Sequence, residues 1–560
     1  MRPSSRPALD PPSGRGSRNP TAVHGGLETA APPQAAGGAP GTERAGGSRL
    51  LRRWAGVVSD NRWITTGAVV AILAGLVLRF LTLSPLWLDE AQSVAIARLP
   101  LPQLFDALRQ DGSPPVYYLL LHWWIGLFGT SDLAVRSLSG VFGVLALPLA
   151  WRITRQLAGV RTAQAVLLLL ATSPFAVRYS SETRMYSLMV LLTVLGAMAI
   201  RQVVRRRGPW PVLAVAAVTA ALMLTHYWGF YLLAVVGILA LLALRTHRAP
   251  ALRMITGMVL GGLAFLPWVP SFLVQVAHTG TPWAGRGGLQ VFPVALKAWR
   301  GGQDTAAWAL GILLVVLLAV GLLAVPAARS SSRRPALLLE LHIRRNRAVL
   351  LALSAGTLLV AAIACFASHS ATVARYTSVA LLPFLALVAL GVVALPTANF
   401  RRAALALMSV LGLVTVLPTA WTPRTQAGEV ATALQQAAPG AEVVFCPDQL
   451  GPAVARLAQP GLDLVSFPDL RPAGRVDWTD YQARNENTTG AAVARKVLAR
   501  SDGAEIWVVM SGGYLVPSEA RCQSLVDAIA SFRGDGEEMV QPGTEYEGEQ
   551  LLRFAPGPNG

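Results

Sequence analysis

Charged side chains are scarce in this chain. Only 14% of its 560 residues are Asp, Glu, Lys or Arg, where a soluble globular protein carries about a quarter, so a water-soluble globular class is excluded. Acids are the scarcer sign, 30 against 48 bases, for a formal charge of +18. The bases nevertheless stand in short clusters between apolar runs rather than along one face, which argues against nucleic acid as a partner. Three cysteines are too few for a disulfide-built scaffold. No His/Cys cluster, Asp-x-Asp pair or glycine-rich phosphate loop occurs, so neither a metal nor another cofactor is expected and a soluble nucleotide donor is disfavoured.

What is present is apolar sequence: 53% hydrophobic residues and a mean hydropathy of +0.47, the composition of a polytopic α-helical membrane protein. Residues 1–60, rich in Gly, Pro, Ala, Ser and Arg, cannot bury enough surface to offset the entropy of ordering and read as a disordered cytoplasmic tail. The first apolar run, 64–83, lies too far along for a signal peptide and is long enough to span. Short arginine-rich loops stay in the cytoplasm. The clusters at 152–161, 201–207, 245–253, 329–347 and 401–402 therefore alternate the chain through spans near 162–176, 186–204, 210–225, 228–245, 254–272, 306–328, 348–367, 377–396 and 403–421. Residues 116–152 must cross an odd number of times, yet they read as two short helices, 116–128 and 138–151; 11 to 13 membrane helices are expected in residues 61–423. From 424 to 560 charges return and short strands (442–446, 462–467, 505–511, 550–554) alternate with helices (451–458, 491–499, 518–531), an extracytoplasmic α/β domain in which Cys446 and Cys522 could pair, though so few cysteines make a weak case.

Within the first outer loop, 84–115, the adjacent carboxylates Asp89 and Glu90 sit just past the end of the first span, where charge near hydrocarbon is costly to hold. Leu101, Leu104, Phe105 and Leu108 recur at the spacing of a helix lying flat on the membrane. Asp111, Pro114-Pro115 and Tyr117-Tyr118 lead into the next helix, and Ser173-Pro174 leads into Arg178-Tyr179-Ser180-Ser181-Glu182-Thr183-Arg184-Met185-Tyr186. Together with Arg79 and Trp87-Leu88-Asp89-Glu90-Ala91, these motifs resemble the GT-C fold membrane glycosyltransferases, most nearly the branch of protein O-mannosyltransferases and lipid A aminoarabinose transferases. The resemblance covers residues 79–200, more weakly to 420, and departs where this chain has Ser113 in place of a His or Lys before the prolines.

The resemblance implies transfer of mannose or a related sugar from a polyprenyl phosphate to an extracytoplasmic glycan, lipid or protein. The residues suit that chemistry on independent grounds. A polyprenyl-phosphate sugar already has a good leaving group, so the reaction needs a base for the acceptor hydroxyl and cations for the departing phosphate. Asp89, assisted by Glu90, is the candidate base of an inverting displacement. Asp111, Tyr117, Arg178, Tyr179, Glu182, Arg184 and Arg375 are the candidate substrate-binding residues, guanidinium offering paired donors to phosphate. Asp89, Glu90 and Asp111 could also gather a divalent cation, as acidic loops do in related oligosaccharyltransferases, but no ligand motif supports it. Blander readings compete: helix capping for Asp89-Glu90, interfacial anchoring for Arg178, Arg184 and Arg375, an aromatic belt for His226-Tyr227-Trp228, a packed core role for His122. A transporter or lipid flippase is the rival class, but such proteins often show paired internal repeats, and none occurs here. A structural assembly factor would leave Asp89 dispensable.

The arginine alternation makes one expectation testable at once. An alkaline phosphatase fused after residue 560 should be active, and one fused within 1–60 silent; an inactive C-terminal fusion would place the Asp89 loop in the wrong compartment.

Overall fold

The structure, a computed structural model, describes residues 62–280, 287–325, 337–368, 372–512 and 516–557. The tail expected at 1–60 lies outside these, as does part of the basic stretch at 329–347. The fold is the expected polytopic helical one with a small C-terminal sheet. Among the described residues, seven helices are long and apolar enough to cross a membrane, and Thr65–Leu78, Val116–Phe128, Pro209–Thr225 and Trp228–Ala243 are shorter apolar helices. Small residues let the central helices approach: Gly321 and Gly391 face each other between the Thr305–Leu323 and Ser378–Ala394 helices, where a Cβ on either would overlap a backbone carbonyl of the other.

The crossing problem at 116–152 has a geometric answer. Sequence pattern placed a short helix at 138–151; the structure instead has one run, Asp132–Thr172, kinked at Gly159, whose φ of 86° is open to glycine but strained for other residues. Val116–Phe128 has 13 residues, about two-thirds of what a span needs. Arg456 of the C-terminal region donates to Asp132 Oδ1 at 2.9 Å and to the Thr130 carbonyl, while Gln92 ties Asp111 to Val476 of the same region. Both ends of Val116–Phe128 therefore lie beside the C-terminal region, and of the two helices it is the Asp132–Thr172 run that is long and apolar enough to span.

The C-terminal region builds a six-stranded sheet in the order Arg471–Pro472, Asp463–Ser466, Glu442–Cys446, Ile506–Met510, Gln550–Phe554, Glu537–Val540. The three strands Asp463–Ser466, Glu442–Cys446 and Ile506–Met510 run parallel. Glu442–Cys446 and Ile506–Met510 are buried along their whole length, as a sheet covered on both faces by helices requires. Cys446 and Cys522 are joined in a disulfide with Cα atoms 5.5 Å apart, so the pairing that the low cysteine count disfavoured is present. It ties the end of the Glu442–Cys446 strand to the Glu519–Arg533 helix.

This region is seated on the loop that carries Asp89. Trp87 and Leu88 pack into a cluster with Val476, Trp478 and Tyr481. The Gln92 side-chain amide both donates to and accepts from the Val476 backbone, each at 2.9 Å. The Leu88–Ala97 helix has no cap from its own flanking side chain; the Leu88 amide instead donates to Glu547 Oε1 at 3.0 Å, which satisfies one of the orphan donors at a helix start. Beside it Glu549 accepts from the Thr425 hydroxyl at 3.0 Å.

Burial pushes both carboxyl groups up: Glu549 to about 8, and Glu547, which also has Glu549 as a neighbour, well above the usual range. The positive end of the helix pulls Glu547 the other way, but burial dominates. The folded state thus keeps protons that the unfolded chain releases above about pH 4.5, so the stability these groups supply is fully present below that value and is lost as pH rises through about 8. Thermal unfolding of the full chain should show a midpoint that falls between pH 5 and 9, and Glu549→Gln should flatten the fall; a midpoint that rises over this range would contradict the assignment.

Candidate active site

Asp89 and Glu90 occupy the first turn of the Leu88–Ala97 helix. Successive helical residues diverge by about 100°, so the two carboxylates serve different places. Glu90 turns inward and is fully buried. Arg136 grips it with Nε at 2.8 Å and Nη2 at 2.6 Å, and the Thr183 amide donates to it at 2.8 Å. Burial alone would raise its pKa, but the Arg136 pair, the Arg424 charge and the Thr183 amide together hold it below the usual range. Glu90 therefore has no free face for substrate, and the catalytic role expected of it gives way to one in holding the loop. Arg136 also donates to the Ser84 carbonyl at 2.7 Å, which fixes the turn out of the first membrane helix.

Asp89 turns the other way, with its side chain 14% exposed. Arg375 Nη2 stands 3.0 Å from Oδ2 and Arg184 Nε 4.0 Å from the same oxygen. Arg184 is held by Ser93 Oγ at 3.0 Å and Tyr118 Oη at 3.3 Å, both of which accept from Nη1. Glu182, buried, pairs with Arg178 and with Arg424 Nη1, each at 3.2 Å, and the same Arg424 atom lies 3.7 Å from Glu90. The Arg178 side chain itself is 39% exposed. Five arginines (136, 178, 184, 375 and 424) are thus ion-paired with three carboxylates (89, 90 and 182), a surplus of positive charge at the membrane boundary. Asp89 Oδ2, Arg184 Nε, Arg375 Nε and Tyr186 Oη are all enclosed, yet none has a hydrogen-bond partner, since Arg375 meets Asp89 off the hydrogen-bonding line.

Other expected residues divide. Tyr179 stands in an aromatic wall, its ring 4.5 Å from Phe175 and 5.2 Å from Tyr186. His226, read from the sequence as part of a belt, is half-buried in the same wall, 4.6 Å from the Tyr376 ring. Tyr117 is turned into the core, its hydroxyl 3.0 Å from Ser139 Oγ; it is its neighbour Tyr118 that faces the arginines. Asp111 accepts from Tyr118 at 2.8 Å and from Gln92 at 3.1 Å, one hydroxyl removed from Arg184. Asp89, Glu90 and Asp111 therefore point to different partners, and among the described residues no three His, Cys, Asp or Glu side chains gather as for a metal. Arg79 borders the same cavity as Tyr179 and Tyr186, but its guanidinium is taken up by the carbonyls of Gly75, Leu170 and Ala171. His122 contacts the Ala97 carbonyl at 2.7 Å, the packed role expected. Sequence reasoning passed over Arg136, Arg424, Ser93, Tyr118 and Glu547. Arg136 was detectable as a charge within an apolar stretch and Tyr118 as part of the Tyr117-Tyr118 motif; the others have no local signal.

Residues 112–272 match the family described as dolichyl-phosphate-mannose-protein mannosyltransferase. No curated protein matches the chain. Among solved structures, ArnT from Cupriavidus metallidurans in the apo state is similar at a TM-score of 0.53 and 15% identity, over 88% of this chain and 97% of that one. ArnT from the same organism bound to undecaprenyl phosphate gives 0.49 at 14% identity, over 88% and 98%. The apo oligosaccharyltransferase of Archaeoglobus fulgidus gives 0.44 at 14% identity, over 80% and 70%. With the fold of the apo ArnT and the mannosyltransferase match at residues 112–272, this chain is an integral-membrane protein of the GT-C glycosyltransferase fold.

Proposed function

We propose that the chain transfers a monosaccharide, mannose or a related sugar, from a polyprenyl phosphate to an acceptor outside the cytoplasm, with inversion at the anomeric carbon. The observation that carries this reading is the surplus of arginine around one accessible carboxylate. Arg184 and Arg375, with the partly exposed Arg178, suit the phosphodiester of the donor, because guanidinium meets phosphate oxygens with paired donors. ArnT, whose fold this chain shares, has been solved with undecaprenyl phosphate, a carrier of the class proposed.

In the empty site Asp89 is ion-paired with Arg375. A donor phosphate competes for Arg375 and Arg184 and so frees Asp89 to accept a proton. The acceptor hydroxyl attacks the anomeric carbon as Asp89 takes its proton. The bond from that carbon to the phosphate oxygen breaks, and its electron pair leaves with the polyprenyl phosphate, whose added charge the arginines neutralise. Tyr179, Tyr186 and Tyr376 offer ring faces and hydroxyls to the sugar. Glu90 and Glu182 act as positioning residues: each holds an arginine, and Glu90 fixes the helix that aims Asp89.

Two substitutions separate these roles. Asp89→Asn keeps the shape but loses the base and should lower transfer by about 10²- to 10⁴-fold, with the protein still folded and still binding donor. Glu90→Gln leaves Arg136 buried without its counter-charge and should cost about 3–5 kcal/mol of stability. Radiolabel transfer from a panel of polyprenyl-phosphate sugars, normalised to folded protein, and thermal unfolding measure the two effects. Near wild-type transfer by Asp89→Asn would sink the mechanism, and a stable but inactive Glu90→Gln would reverse the roles.

A further inference from the structure

Tyr118 is fully buried, yet its hydroxyl stands between two charged groups. Arg184 Nη1 donates to it at 3.3 Å, and it donates in turn to Asp111 Oδ2 at 2.8 Å, with Ser113 Oγ as a longer alternative at 3.3 Å. Chemistry fixes the direction, because a guanidinium has no acceptor, an ionised carboxylate has no donor and a hydroxyl has one proton to give. Asp111 therefore acts on Arg184 through Tyr118. The other oxygens that accept from Arg184 Nη1, Ser93 Oγ at 3.0 Å and the Asp89 carbonyl at 3.4 Å, both belong to the Leu88–Ala97 helix. Tyr118 is the anchor from outside it, on Val116–Phe128.

Asp111 is held in turn from the C-terminal sheet region. The Gln92 amide nitrogen donates to Asp111 Oδ1 at 3.1 Å and to the Val476 carbonyl at 2.9 Å, while its oxygen accepts from the Val476 amide at 2.9 Å. A flipped side-chain amide would set oxygen against oxygen and N–H against N–H, so the bond to Asp111 is fixed by the two bonds to Val476. One residue before Asp111, the Gln110 carbonyl accepts from the Trp478 amide at 3.1 Å. A continuous chain of hydrogen bonds thus runs from Val476 through Gln92, Asp111 and Tyr118 to Arg184.

On the reading of the active site given above, we propose that Tyr118 is a positioning residue that aims Arg184 at the donor phosphate, and that Gln92 and Asp111 make this aim depend on how the C-terminal region is seated. Asp111 then belongs with Glu90 and Glu182 rather than with the residues that touch substrate. Arg184 meets no carboxylate at hydrogen-bond distance, the nearest oxygen of Asp89 being 4.0 Å from Nε, so a hydroxyl link to Asp111 decides where its guanidinium rests. Phenylalanine at 118 keeps the ring and its edge-on packing against Tyr117, 6.1 Å between centroids, and removes the link alone.

The test uses the full chain in lipid nanodiscs, with undecaprenyl phosphate as the probe. Tyr118→Phe should bind this carrier about three- to tenfold more weakly, the worth of one hydrogen bond, and leave the acceptor KM unchanged. A merely structural loss would lower the amount of folded protein and leave the carrier affinity where it was. Gln92→Met should also weaken binding, but should add little to Tyr118→Phe in the double variant, because its effect runs through the same hydroxyl. Without any carrier, the side-chain ¹⁵N resonance of Arg184, identified by its loss in Arg184→Lys, should shift in both single variants. The relay is refuted if Tyr118→Phe binds the carrier as the wild type does, or if Gln92→Met adds its full effect to Tyr118→Phe. Should Tyr118→Phe fail to fold, Gln92→Met decides alone: weaker binding with a shifted Arg184 resonance supports the relay, and unchanged binding refutes it. A wild type that binds no carrier, with the Arg184 resonance still answering to both substitutions, would keep the relay and discard the transfer reaction.

Discussion

The buried pair of Glu90 and Arg136 is the contact on which the site rests. Neither side chain could be enclosed alone, because an unpaired charge in so dry a place costs several kcal/mol; together they lock the start of the Leu88–Ala97 helix to the long Asp132–Thr172 helix. With Glu90 drawn inward, helical geometry leaves Asp89 aimed at the other side, toward Arg184 and Arg375. The bond from Arg136 to the Ser84 carbonyl fixes where the first membrane helix lets the loop go. One bidentate contact thus sets both the direction of the Asp89 carboxylate and the path of the chain leading to it.

Around that contact the charges form two tiers. The inner tier, Glu90 and Glu182 with Arg136 and Arg424, is buried and ion-paired. The outer tier, Asp89 with Arg184 and Arg375, is ion-paired beside it and slightly more exposed. Arg424, at the junction with the C-terminal sheet region, belongs to the inner tier, so that region helps to hold the loop that carries Asp89.

Much of this was legible in the sequence where a local pattern carried it. Apolar runs and arginine clusters gave the polytopic fold, and the strands at 442–446 and 550–554 agree with the structure residue for residue, because a short apolar run bounded by turn residues has few other uses. The acidic pair stood out as charge at the end of an apolar run, while Arg178, Arg184 and Arg375 were named largely through the family resemblance, and the structure brings Asp89 together with Arg184 and Arg375. What stayed hidden depends on rotation or on distance. Adjacent residues such as Asp89 and Glu90, or Tyr117 and Tyr118, differ only in the side of the helix they occupy, and that is decided by packing partners elsewhere in the chain. Glu547 and Arg424 act through contacts across hundreds of residues, for which no spacing rule exists. Cys446 and Cys522 were undervalued because a count of cysteines says nothing about two Cα atoms brought 5.5 Å apart by a fold.

The cap that Glu547 places on Leu88 joins residues 459 positions apart, and this has a consequence in time. Synthesis runs from the N-terminus, so the loop bearing Asp89 emerges among the first folded parts and its helix waits with an uncapped end. Every membrane helix is made and inserted before Glu547 leaves the ribosome. The cap is therefore added late, when the sheet region closes over Trp87 and Leu88. Until then the helix that carries Asp89 is held from the Glu90–Arg136 side.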